Sequence, residues 1–78
     1  MIESAAGRRD AAGAALERAV ALQPQNPTPW LRLADFQLSA AGDPQAALRS
    51  LGPALALDPR NPTAVELFLQ ATRSGAGG

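Results

Sequence analysis

The sequence predicts an all-α fold in which antiparallel helical hairpins stack into a short solenoid of about four helices. Three observations predict it. Half of the hydrophobic residues are Ala (18 of 36) and the aromatics are Trp30, Phe36 and Phe68 alone, a composition that suits closely packed helices and offers little to a sheet. The chain also repeats itself. Shifted by 35 residues without a gap, Gly7 to Thr28 superimposes on Gly42 to Thr63, with 11 of the 22 positions identical. Finally, the identities include the residues that break helices: Gly7/Gly42, Pro24/Pro59, Asn26/Asn61 and Pro27/Pro62. A bias toward Ala supplies some matches but not a Gly, two Pro and an Asn in register.

Each element follows from that punctuation. A stub over residues 1–6 is expected to stop at Gly7, and a first helix runs from about Arg9 to Leu22. Gly13 inside it costs about 1 kcal/mol, which tight helix packing would explain. Pro24 forbids continuation and pushes Gln23 out of the α region. Asn26-Pro27 then reads as an N-cap followed by Pro at the first helical position, opening a second helix from about Thr28 to Ala41. Trp30, Leu33, Ala34 and Leu38 form its apolar stripe, and that spacing favours core packing for Trp30 over ligand stacking. Gly42-Asp43-Pro44 combines a left-handed C-terminal cap, an N-cap carboxylate and a helix-starting Pro. The third helix, from about Pro44 to Leu57, carries Ala47, Leu48, Leu51, Ala54 and Leu55 on one stripe. Gly52-Pro53 within it removes a hydrogen bond to the Arg49 carbonyl, so a kink or split is expected at Ser50 to Pro53. Pro59 and Asn61-Pro62 repeat the earlier stop and start, giving a fourth helix from about Thr63 to Arg73 and a flexible tail over residues 74–78. Links of about two to six residues make neighbouring helices antiparallel.

These residues resemble the tetratricopeptide repeat, a helix-turn-helix unit of 34 residues with W, L-G, Y, A, F, A and P at set spacings. Trp30 stands at the first-helix tryptophan and Leu33-Ala34 at the Leu-Gly pair; Ala47 and Ala54 stand at the small residues, Leu51 at the aromatic and Pro59 at the closing proline. Ala12, Leu16, Ala19 and Pro24 repeat the second-helix half upstream, while Val65, Phe68 and Leu69 begin the first-helix half downstream. The resemblance implies a right-handed solenoid occupying residues 1–73, divided into a half repeat (7–26), a full repeat (27–61) and a half repeat (62–73). One departure is that Trp30 to Gly42 is one residue longer than the family spacing, so the second helix ends in a wider turn or holds a bulge near Ser39-Ala40-Ala41.

The remaining chemistry excludes more than it offers. The chain has no His, no Cys and no Lys, which removes the commonest general base, thiolate and imidazole metal ligands, and any base to activate Ser4, Ser39, Ser50 or Ser74. Asp43 and Asp58 are accounted for by capping and turn formation. No catalytic activity, cofactor or metal is expected. Seven Arg balance seven acidic residues, so nothing attracts nucleic acid at long range, and Arg8-Arg9 is the only basic pair. Without a signal-like or membrane-spanning run, the chain reads as cytoplasmic, and its Lys-free, Ala- and Arg-rich usage suits a bacterial protein.

What the resemblance adds is a partner. Repeats of this type curve so that first helices line a concave face holding an extended peptide or a partner helix. Carried onto this sequence, the partner-facing residues are Thr28, Leu31, Arg32, Asp35 and Leu38 of the second helix and Thr63, Glu66 and Gln70 of the fourth. Leu31 and Asp35 stand where the family's carboxylate clamps carry Lys and Asn, so an amphipathic segment fits better than a terminal carboxylate. A second expectation is self-association. The first helix lacks a preceding neighbour and Val65, Phe68 and Leu69 lack a following one, leaving apolar surface open at both ends for a homo-oligomer or for the rest of a longer solenoid.

Overall fold

The computed structural model describes residues 5–76, with side-chain surroundings given for residues 7–75. Four helices follow one another: α1 (Ala5–Leu22), α2 (Pro27–Ser39), α3 (Pro44–Leu57) and α4 (Pro62–Ala76). The described residues contain no strand. Helix α2 packs against α1 and α3, α3 packs against α4, and α4 also reaches back to α2. Among the described helices, α1 packs against α2 alone. Successive hairpins therefore stack in chain order, as an internal repeat with short links requires.

The two α-to-α turns ahead of α2 and α4 are the same structure built twice. After α1, Gln23 N–H closes on the Ala19 carbonyl (3.0 Å) and Asn26 N–H on the Gln23 carbonyl (3.1 Å). After α3, Asp58 N–H closes on Ala54 (2.9 Å) and Asn61 N–H on Asp58 (3.2 Å). Each Asn then caps the next helix: Asn26 Oδ1 accepts from Thr28 N–H at 3.0 Å, and Asn61 Oδ1 accepts from Thr63 N–H at 2.9 Å and Ala64 N–H at 3.1 Å. Those are donors that a helix start leaves without intrahelical partners. Trp30 is half-buried, and its indole N–H donates to the Pro24 carbonyl at 3.0 Å, tying α2 to the turn that launched it.

The second kind of turn settles the extra residue. Ala40 and Ala41 N–H both reach the Phe36 carbonyl (2.9 and 3.0 Å), and Asp43 N–H reaches Gln37 at 2.7 Å, so α2 unwinds through a wide turn rather than an internal bulge. Gly42 sits at φ 64°, the left-handed conformation its Cβ-free backbone permits. Asp43 Oδ1 then caps α3 by accepting from Ala46 N–H at 3.1 Å.

Two expectations about helix extent are corrected, and at Pro53 the split is excluded. Gly7 does not stop a stub, because α1 already begins at Ala5 and runs through it; residues 1–4 of the expected stub lie outside the described residues. Gly42 works as a stop because Asp43-Pro44 restarts the chain behind it, whereas Arg8-Arg9 offers neither cap nor proline and the Ala-rich helix carries on. At the other end α4 continues past Arg73 through Ser74 and Gly75 to Ala76, where no proline or cap halts it; a Cβ at Gly75 would lie 3.3 Å from Gln45 Nε2. Helix α3 is not split at Gly52-Pro53 and stays helical to Leu57. Pro53 is half-buried, and Gly52 and Arg49 beside it are exposed.

The core is built mostly of small residues. Ala34, Ala47, Leu51, Ala64, Leu67 and Ala71 form one buried cluster, with Leu31, Leu38, Leu48 and Leu55 packed around it half-buried. Leu51 is the one large side chain buried completely among the described residues. Ser50 Oγ donates to Gln37 Oε1 at 2.6 Å, satisfying a buried hydroxyl across the α2–α3 contact. Gly13 lets α1 approach α2 closely: a Cβ there would stand 3.1 Å from the Phe36 ring. The tight packing expected of Gly13 is what the structure shows.

Candidate partner-binding groove

Helices α2 and α4 enter through the same Asn-Pro-Thr sequence and lie on the same side of α3, so equivalent positions of the two come to face one space. Between them lies an open groove of about 500 Å³ lined by Thr28, Leu31, Arg32 and Asp35 from α2 and Thr63, Glu66, Leu67 and Gln70 from α4. The eight residues are four pairs related by the 35-residue shift: Thr28/Thr63, Leu31/Glu66, Arg32/Leu67 and Asp35/Gln70. Within each helix they occupy i, i+3, i+4 and i+7, a single face.

The groove combines an apolar floor with polar edges. Leu67 is buried and Leu31 half-buried, both against the core, so neither side chain is free to swing away. Arg32, Asp35 and Glu66 are exposed and place charges of both signs along the two walls. Gln70 Nε2 donates to Glu66 Oε1 at 3.2 Å, holding two wall residues of α4 together. The N–H groups of Thr28 and Thr63 are taken by the Asn caps.

Seven of the eight residues expected to face a partner line this groove. Leu38 does not. It lies one turn beyond Asp35, half-buried against the core. Leu67 is the lining residue that sequence reasoning missed, and the signal was present, since Leu67 is the shifted equivalent of Arg32. The buried stripe Ala64, Leu67, Ala71, at i, i+3 and i+7, was likewise missed, whereas Val65, Phe68 and Leu69 stand exposed, as expected of a face without a following helix.

Other singled-out residues have intramolecular work. Arg9 of the basic pair donates from its guanidinium to the Ala40 carbonyl at 3.3 Å, at the unwinding end of α2. Asp43 caps α3, and Asp58 Oδ2 accepts from Asn61 Nδ2 at 3.2 Å. A second recess, of about 620 Å³, lies between α1 and the α2–α3 turn, beside Gly13 and Phe36, and contains none of the expected partner residues. Among the described residues no group of three or more His, Cys, Asp or Glu is placed to hold a metal ion. No described helix is long and apolar enough to cross a membrane.

Compared with known proteins, residues 1–36 match the family model described as tetratricopeptide repeat, a stretch that takes in α1, the first Asn-Pro turn and most of α2. No curated protein and no solved structure matches the chain.

Proposed function

We propose that this chain, whose residues 1–36 match the tetratricopeptide-repeat model, is a protein–protein interaction scaffold of that type, holding an amphipathic peptide or partner helix in the groove between α2 and α4. The observation that carries the reading is the convergence of four repeat-related residue pairs on one open groove with an apolar floor and charged walls. A peptide presents one or two apolar anchors to Leu31 and Leu67, while a basic residue meets Asp35 or Glu66 and an acidic one meets Arg32. The half repeat, full repeat and half repeat division supports this arrangement, because it makes α2 and α4 the two first-type helices that wall the groove. The inventory of side chains supports a binding role without catalysis.

The test is selection of peptides from a displayed random library on the 78-residue chain, followed by titration of the winners. Leu31→Asp is expected to weaken binding at least tenfold, about 1.4 kcal/mol. Leu31 also packs on the core, so Glu66→Arg, an exposed change, is the companion that leaves folding alone and shifts selection away from basic peptides. Peptides that bind both variants as well as the parent would sink the reading.

A further inference from the structure

Comparing each helix with its repeat equivalent shows which surfaces lack a cover. Helix α3 has a helix on either side of it in the chain, whereas α1 has only α2 among the described residues. The positions buried in α3 but open in α1 are therefore those that a preceding helix covers. Ala46, Ala47 and Ser50 are buried, and their equivalents Ala11, Ala12 and Ala15 are exposed. The same comparison runs the other way for α2 and α4. Leu33 and Ala34 are 4% and 0% exposed, while their equivalents Phe68 and Leu69 stand 42% and 54% exposed. Those are the positions that a following helix covers.

The two open faces are thus the two halves of one contact already present inside the molecule. In the α2–α3 pair, Leu33 and Ala34 of α2 and Ala46, Ala47 and Ser50 of α3 are buried; α4 offers Phe68 and Leu69, and α1 offers Ala11, Ala12 and Ala15, in the same 35-residue register. We propose that α4 of one molecule docks on α1 of a second copy, reproducing the α2–α3 packing between chains. The polar link of that pair, Ser50 to Gln37, has Ala15 and Thr72 at its equivalent positions, so the contact between copies is apolar. Zero net charge sets no long-range repulsion against it. The two faces differ, so the contact is heterologous and, unless rotation closes a ring, each addition leaves a fresh α1 and a fresh α4 face free. Docking in this register sets α2 of the incoming copy beside α4, lengthening the wall of first-type helices. The proposal rests on the repeat register and is independent of what the groove holds.

The deciding experiment is sedimentation velocity on the 78-residue chain from micromolar to millimolar concentration, with two single-face variants. The parent is expected to grow in mass with concentration beyond a dimer. Ala15→Arg blocks the α1 face at an exposed helical position, and Leu69→Asp blocks the α4 face; each alone is expected to remain monomeric with unchanged far-ultraviolet circular dichroism. Mixed in equal amounts, they retain one good face of each kind and are expected to form a dimer and nothing larger. A parent that stays monomeric throughout overturns the proposal, as does Ala15→Arg associating like the parent, which would mean contact between two α4 faces, or a mixture that stays at monomer mass. Should Leu69→Asp lose helicity, Val65→Asp replaces it on the same face. Glu66→Arg lies outside both faces and leaves assembly intact, so failure of the groove reading and failure of this one are distinguishable.

Discussion

Helices α2 and α4 begin with the same Asn-Pro-Thr sequence, carry the same cap and contribute equivalent residues to one groove, yet their other faces have opposite fates. Ala34 has no exposed surface and Leu69, its equivalent, is more than half exposed. The two helices start with the same code and then differ at most positions. The difference lies in neighbours: α2 is enclosed by α1 and α3, while α4 has α3 on one side and nothing described on the other. In a stacked repeat, burial is a property of position in the stack as much as of sequence.

That comparison can be broken most forcefully by placing one charge at both positions. Ala34→Asp buries an unpaired carboxylate and is expected to cost about 3–5 kcal/mol, enough to unfold a domain this small. Leu69→Asp in the dispersed chain is expected to change stability by no more than about 0.5–1 kcal/mol. Urea denaturation at low protein concentration measures both, and similar losses would show that α4 is as enclosed as α2.

A second pair sharpens the contrast between α1 and α3. Leu51→Ala empties the most buried large position and is expected to cost about 2–5 kcal/mol through lost contacts and a residual cavity. Leu16, its equivalent, is half-buried, so Leu16→Ala is expected to cost about 1–2 kcal/mol by partial loss of apolar burial. Thermal unfolding followed at one wavelength ranks the two, and the order should not reverse.

The smallest effect concerns the turns, where the two copies agree. Asn61→Ala and Asn26→Ala each remove an N-cap worth about 1 kcal/mol. Asn61 accepts from two backbone N–H groups and Asn26 from one, so the loss at Asn61 is expected to be the larger by a few tenths of a kcal/mol. Equal losses in chemical denaturation would mean that water replaces the second bond at no cost.

How far each feature was legible follows from the range of the forces behind it. The helix starts at Pro27, Pro44 and Pro62 and the left-handed Gly42 were readable because caps, prolines and glycines act within a few residues. Gly7 misled because the same residue type lacked the Asp-Pro that makes Gly42 a stop. Most of the groove was legible through the resemblance to tetratricopeptide repeats, whose first helices line a concave face, and the residues it named on α2 and α4 fall at spacings that share one face of each helix. Leu38 and Leu67 were not. Whether a leucine at the border of a face points into the groove or the core depends on how far α2 and α4 are rotated against α3, a packing matter with no local signature.

By itself, then, the sequence determined the helix count, the turn chemistry and the 35-residue register, because local sterics and hydrogen bonding decide all of these within one repeat. Only the tertiary structure decided that Pro53 sits in an unbroken helix, that Gly13 receives the Phe36 ring, and that Ala64, Leu67 and Ala71 form the buried stripe of α4. Those outcomes depend on which helix lies across from each side chain: Ala64 and Ala71 are small enough for α4 to pack closely into the core, while no described helix lies across from Val65, Phe68 and Leu69.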